Sequence, residues 1–447
     1  MGNKSTKKNK FNIYPKITIE QDNNIVLLNG KDEFEILDLN ELGDDLNEIK
    51  ITKKYIKQNY IKKNSKEDFE IKVKIFKDKL KSKYPLLTSK YISIDRNNII
   101  SSSIEKFKNI PLKDQIKIKF NGEECIDAGG IIREYLTVLF KELLDPKTDL
   151  FEKTENDEIS YIFSQNEITK DKKICYEFIG TIIAKALTQG LTVNCLLNSI
   201  IYKIILQEEI KLNDIVFIDR QLYLSIKNLI DLSKTQNIAD LEMYFEIDKI
   251  IDGKMKHINL IDNGNKIKVT NSNLYDFIAA RINYLINSQL EGINYIIKGI
   301  EKVFPLSYFD DFSSDELNLL INGFPFIDIE DWKENTEYVG YKKTDKLIKN
   351  FWEILYTFSQ DDLSKFLQFV TGSSRVPIGG FKSLESNKGT LYKFTIQKIE
   401  YKKNLMNFCK AHTCFNKIDL PNFPNKDELL NSIKFAIENE CVGFGMS

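Results

Sequence analysis

The chain has 447 residues, 42% hydrophobic and 29% charged, with 64 Lys and Arg against 65 Asp and Glu. That composition is globular, the length suits about three units of roughly 150 residues, and a net charge near zero supplies no global field for nucleic acid. No window approaches the ~20 uncharged apolar residues of a membrane span, and six cysteines without a Cys-x-x-Cys pair read as reduced thiols rather than a disulfide framework.

Residues 1–64 form an N-terminal extension. Met1-Gly2-Asn3-Lys4-Ser5-Thr6 fits the acceptor pattern for N-myristoylation on Gly2. The lysines that follow at 4, 7, 8 and 10 would supply the second membrane signal that one acyl chain needs. A solvated lysine tail accounts for the same residues, and both readings stay open. The polar start does not read as a secretory leader. Residues 15–40 alternate in short apolar runs around Asn-Asn and Asn-Gly turns, which predicts a small β-element. From Glu48 a lysine-rich run predicts a helical connector.

Residues 65–338 predict a large, mainly helical unit. Phe69, Val73, Phe76 and Leu80 lie at helical spacing. Ile116, Ile118 and Phe120 alternate as a half-buried strand. Asp127-Ala128-Gly129-Gly130 then turns tightly into a helix with Ile132, Leu136, Leu139, Phe140 and Leu143 on one face. Gly-Gly before a helix can cradle phosphate, but no Gly-Lys-Ser/Thr follows. Arg133 and Glu134 read as a structural ion pair. Further buried helices are expected around Phe178–Ala186 and Ile200–Leu206. Residues 212–272 predict a small α+β insertion: a helix at Leu222–Leu232 and strands at Tyr244–Ile247, His257–Ile261 and Lys266–Val269. Helices resume at Leu274–Phe304 and Ser314–Ile321. His257, in the insertion, shows no partner.

A polar link is expected at 339–342, and 343–447 can form a separate small domain. It predicts helices around Phe351–Phe358 and Leu363–Val370 and a strand at Tyr392–Ile396. Asn425 and Glu428 resemble a capping box. The chemically pointed stretch is His412-Thr413-Cys414, which holds one of only two histidines in the chain.

Four readings of Cys414 stand open. Cys409, His412, Cys414 and Cys441 could hold zinc, but three ligands would have to come from six residues. A thiol protease needs a histidine to take the thiol proton, and the only distant one is His257. A buried structural cysteine is the ordinary fate of the residue. The last is acyl transfer through a thioester. Exchange of one thioester for another asks little acid–base help, and a nearby histidine and hydroxyl can assist the amine that attacks next.

Several motifs in order carry a resemblance. They are Phe120-Asn121-Gly122-Glu123-Glu124, Asp127-Ala128-Gly129-Gly130, Arg133-Glu134-Tyr135, Phe178-Ile179-Gly180, Phe351-Trp352, Phe366 to Pro377, His412 to Asn416, and Phe444 fourth from the end. From about Asp68 to Ser447 the chain resembles the HECT-type ubiquitin-protein ligase domain, nearest in look to the large multi-domain ligases. Cys125, where many members have glycine, and Leu187-Thr188-Gln189, in place of an aromatic-containing stretch, depart from the pattern.

The resemblance implies an α+β bilobal fold, with an N-lobe at 65–338, a hinge at 339–342 and a C-lobe at 343–447. It implies that Cys414 accepts ubiquitin from a ubiquitin-conjugating enzyme as a thioester and donates it to lysines of protein substrates. His412 and Thr413 would support that site, and Phe444 would position the lobes or ubiquitin. The 212–272 subdomain would dock the conjugating enzyme, with Leu229 and Phe245 as candidate contacts. No cofactor, metal or nucleic acid is implied. A cytoplasmic location is expected, with peripheral membrane contact where Gly2 is acylated. No WW pair, C2-like unit or repeat array is visible upstream. The competing class is a catalytically idle relative that only binds conjugating enzyme or ubiquitin.

Overall fold

The structure is a computed structural model. It describes residues 17–21, 24–29 and 33–38, and 63–438 except 87, 109–113, 124–129, 155–159, 252, 385–390 and 403–406. The expected connector helix before Lys63 and the Asp127–Gly129 turn lie outside the described residues, as do Gly2, Cys441 and Phe444.

The N-terminal β-element is an antiparallel meander of β1 (Ile17–Gln21), β2 (Asn24–Asn29) and β3 (Glu33–Asp38). In α1 (Lys63–Lys83) the 4-3-4 spacing of Phe69, Val73, Phe76 and Leu80 puts all four on one buried face. Strand β4 (Ser89–Ile94), helix α2 (Ile99–Phe107) and strand β5 (Gln115–Phe120) make a parallel pair with a helical crossover. The alternation of β5 buries Ile116, Ile118 and Phe120.

Helix α3 (Gly130–Leu143), hairpin β6 (Phe151–Lys153) and β7 (Tyr161–Phe163), helix α4 (Lys170–Thr188) and helix α5 (Ser199–Ile205) follow. Strand β8 (Ile210–Lys211) pairs in parallel with β1, so the meander and β8 form one four-stranded sheet of order β3-β2-β1-β8. The insertion holds α6 (Arg220–Ser233) and the hairpin β9 (Glu246–Ile251) and β10 (Lys254–Asn259). The strand expected at Lys266–Val269 is reduced to one bridge, Tyr244 to Lys268, because Gly264–Lys266 coils into a tight turn.

Helix α7 (Leu274–Glu301) runs along α4 at very close approach. A Cβ on Gly180 would lie 1.9 Å from Ile296 O, and one on Gly299 would lie 2.0 Å from Glu177 O. Glycine at both points lets the backbones touch. Helix α8 (Ser314–Asn322) closes the large lobe.

A second hydrophobic core begins at Ile327. Its elements are α9 (Ile329–Glu334), β11 (Thr336–Val339), α10 (Lys346–Tyr356), α11 (Gln360–Thr371), β12 (Phe394–Ile399), β13 (Lys410–His412), β14 (Lys417–Pro421) and α12 (Lys426–Glu438). The sheet order is β11-β12-β14-β13, parallel except for β13. Helix α11 packs under β13, β14 and the turn between them. The fully buried Trp332 stacks on Phe381 with ring centroids 4.7 Å apart and meets Trp352, Phe366 and Phe394 at their edges or tilted.

The boundary expected at 339–342 is therefore corrected. Val339 pairs with Gln397 inside the small-lobe sheet. Tyr341 is buried, and its hydroxyl donates to Leu420 O at 3.0 Å. The large-lobe core ends at Ile321 and the small-lobe core starts at Ile327, so the link is Asn322–Phe326. The polar look of 337–343 misled, because an outer strand of a small sheet is half-solvated and reads like a linker.

Candidate active site

The turn carrying Cys414 joins β13 to β14. These strands are antiparallel, with His412 opposite Lys417, and Thr413–Phe415 make one 3-10 turn between them. Asn416 closes it at φ 47°, the left-handed region that asparagine tolerates better than most residues. Its amide donates to Thr413 O at 3.3 Å. Its side chain is completely buried, and Nδ2 donates to Tyr392 O at 2.8 Å. Its carbonyl accepts from Thr395 N at 3.0 Å. The turn is thus pinned to the start of β12 from both the backbone and the side chain of Asn416.

His412 is exposed, with Nε2 2.8 Å from Asp419 Oδ2. The Lys417 ammonium lies 3.3 Å from the other oxygen of Asp419 and donates to Gln397 Oε1 at 2.9 Å. Asp419 is a site residue that the sequence reading missed. The signal was present: Lys417 and Asp419 alternate onto the face of β14 that His412 shares across the register. The histidine therefore carries a carboxylate orienter, the arrangement that fixes an imidazole for proton transfer. Phe415 is exposed beside Tyr392, ring centroids 6.0 Å apart, and Leu391, next to Tyr392 in the chain, is exposed as well. Together they give the turn an apolar rim.

Arg133 comes to the same turn from the large lobe. Its Nη1 donates to Thr371 O at 3.2 Å and lies 3.5 Å from Asn416 Oδ1. The expected Arg133–Glu134 pair is corrected: Glu134 takes Arg96 at 2.8 Å, and Arg96 also reaches Glu123 at 2.7 Å. Adjacent residues on a helix point about 100° apart and do not face each other.

Cys409 and His257, which rival readings of the cysteine invoke, each have another partner. Cys409 is buried, accepts from Ser432 Oγ at 3.2 Å, and has its thiol pushed up to about 12 by burial. Among the described residues no group of His, Cys, Asp and Glu could hold a metal. His257, for which no partner was expected, pairs with Asp248 across the β9–β10 hairpin. It belongs to that hairpin and not to the cysteine turn.

In the 212–272 subdomain Leu229 is half-buried against the core. Phe245 is 2% exposed and meets Phe277 edge-on at 5.5 Å, so its side chain offers no surface to a partner. The exposed apolar side chains there include Ile250 and Met255 on the β9–β10 hairpin, and Phe217, Leu224, Leu241, Tyr244, Ile261 and Ile267. An aromatic in a short β-run reads the same from sequence whether it faces in or out, and tertiary packing decided for Phe245.

Two lobes, each with its own core, and a cysteine set on a tight turn at the small lobe's sheet edge define a class of two-lobed thiol proteins. Residues 137–447 match the family model of the HECT-domain (ubiquitin-transferase), and the chain belongs to that family. The E3 ubiquitin-protein ligase pub1 of Schizosaccharomyces pombe is 34% identical over 367 residues, covering 81% of this chain and 47% of the relative. The probable E3 ubiquitin-protein ligase hulA of Aspergillus terreus is 32% identical over 360 residues, covering 79% and 44%. The E3 ubiquitin-protein ligase TOM1-like of Neurospora crassa is 33% identical over 335 residues, covering 74% and 8%. The chain spans about half, or less, of the length of these curated relatives.

Proposed function

We propose that this chain is a ubiquitin-protein ligase. It accepts ubiquitin from a ubiquitin-conjugating enzyme as a thioester on Cys414 and passes it to substrate lysines. The observation that carries the reading is the cysteine turn of a HECT-family chain, held by buried Asn416 and flanked by a histidine with its own carboxylate. In loading, the Cys414 thiolate attacks the donor thioester carbonyl and the donor's thiolate leaves. In discharge, a lysine amine attacks the new thioester: a C–N bond forms, the C–S bond breaks, and Cys414 leaves as thiolate. The amine's proton goes to His412 or water, with Asp419 stabilising the imidazolium. The apolar rim of Leu391, Tyr392 and Phe415 supports a docking role for the ubiquitin held there, and Phe444 steadies the loaded lobe. The exposed side chains of 212–272, Leu224 and Tyr244 among them, receive the conjugating enzyme. The work is cytoplasmic, and myristate on Gly2 would bring it to membrane surfaces; mass spectrometry of the mature N-terminus reads that directly, and a free or acetylated Gly2 ends that part.

The test is a pulse with a ubiquitin-charged conjugating enzyme. Wild type should form an adduct that thiol reductants cleave, and Cys414→Ala should form none. Absence of the adduct from wild type, or equal adduct with Cys414→Ala, would leave only the idle binding module.

A further inference from the structure

We infer that Arg133 is a positioning residue for the discharge step, docking the cysteine turn of the small lobe against the large lobe. The inference rests on the ligase reading above.

Arg133 stands on α3, and two of its acceptors belong to the small lobe. Thr371 is the last residue of α11, and its carbonyl is one of the unpaired groups at that helix's C-terminus. A guanidinium there meets the negative end of the helix dipole. The second acceptor, Asn416 Oδ1, belongs to the residue that closes the cysteine turn. One cation thus touches the helix beneath the turn and the turn itself.

Among the described residues other contacts also cross between the lobes, Ile378 packing against the large-lobe core among them. Lys382 reaches Glu70 at 3.4 Å on an exposed flank, where an ion pair contributes little. Phe324 and Val376 exchange backbone hydrogen bonds of 3.0 and 3.2 Å at the link. A cleft separates Leu136, Gln189 and Asn194 from Ser373, Arg375 and Pro377. An interface with a cleft running through it is one that can open. In it Arg133 is the contact that reads the position of the turn.

Among the described residues these contacts come from α1, α3 and the link rather than from 212–272. A donor seated on 212–272 needs the cysteine turn brought to it. The posture fixed by Arg133 is therefore assigned to the other half-reaction, in which the loaded turn must be held still for an incoming amine.

The experiment separates the two steps in single turnover. Loading is the rate of adduct formation from ubiquitin-charged conjugating enzyme, and discharge is loss of the isolated adduct to excess free lysine. Arg133→Ala should slow discharge by about tenfold or more, the scale of losing hydrogen bonds from a charged donor, and change loading by less than about twofold. Arg133→Lys keeps the charge but not the fork and should recover part of the loss. Hydrogen exchange without ubiquitin gives a second readout: amides of 371–375 and 415–417 should exchange faster in Arg133→Ala, while those of α10 stay unchanged. Equal slowing of both steps, unchanged discharge with faster loading, or unaltered exchange would each overturn the inference. Failure of wild type to form the adduct would instead remove the ligase reading, leaving the exchange result to judge the docking contact.

Discussion

Nε2 of His412 lies 2.8 Å from Asp419 Oδ2, and this residue-scale contact carries the first prediction. Asp419→Asn keeps the volume and removes the charge that would stabilise an imidazolium. Discharge to free lysine should fall by about tenfold, with the thioester on Cys414 still forming; equal rates in variant and wild type would make the pair purely structural. A second residue-scale prediction concerns Lys185, which is buried and donates to Asp114 O at 2.7 Å. Desolvation lowers its ammonium from 10.5 to about 8, with Asp114 opposing. Below pH about 8 the lysine is protonated in both states and its burial cost is present in full. Between about 8 and 10.5 the unfolded chain binds more protons than the folded one, so stability attributable to this group rises with pH. Denaturant melts from about pH 7.5 to about pH 9.5 should show wild type gaining on the order of 2 kcal/mol relative to Lys185→Met. A constant difference across that range would place the pKa elsewhere.

The contact between α4 and α7 sets the element scale. Both helices were expected from the spacing of their isoleucines and phenylalanines, and both formed. Their mutual approach was not legible, because nothing in the local pattern says that Gly180 meets the backbone at Ile296 and Gly299 meets that at Glu177. With 1.9 Å available at Gly180, a methyl group must push the helices apart. Gly180→Ala should cost about 3 kcal/mol. Glycine in mid-helix is otherwise less favourable than alanine by about 1 kcal/mol, so a stabilised variant would show that the helices do not touch. The capping reading at Asn425 held in part. Glu428 N donates to Asn425 Oδ1 at 2.9 Å, while the return bond to Glu428 Oε1 comes from the Asn425 side chain at 3.0 Å.

At the scale of the whole molecule, the contacts between the two cores among the described residues include the link Asn322–Phe326, Ile378 against the large-lobe core, and the contacts around Arg133 and Lys382. Moving the boundary from 339–342 to this link changes what a small-lobe fragment must contain. A fragment of 325–447 keeps Trp332 with its four aromatic neighbours and β11 with its partner β12. It should give dispersed NMR amide signals and a cooperative melt. A fragment of 343–447 loses both and should not. A cooperative fold in the shorter fragment would restore the later boundary. The small-lobe helices and the strand at Phe394 were readable because each has a strong local period. The membership of 327–342 was not, since it depends on which sheet Thr336–Val339 joins.

The sequence alone determined the family, the two-core plan and most helices, because spacing of apolar residues and the order of short motifs are local properties of the chain. Tertiary structure alone decided the partners. It gave Asp419 to His412, sent Arg133 to the cysteine turn instead of to Glu134, buried Phe245, and moved the link to Asn322–Phe326. Each of these depends on which distant segments come within hydrogen-bonding or packing distance, and side-chain direction at one position carries no record of that.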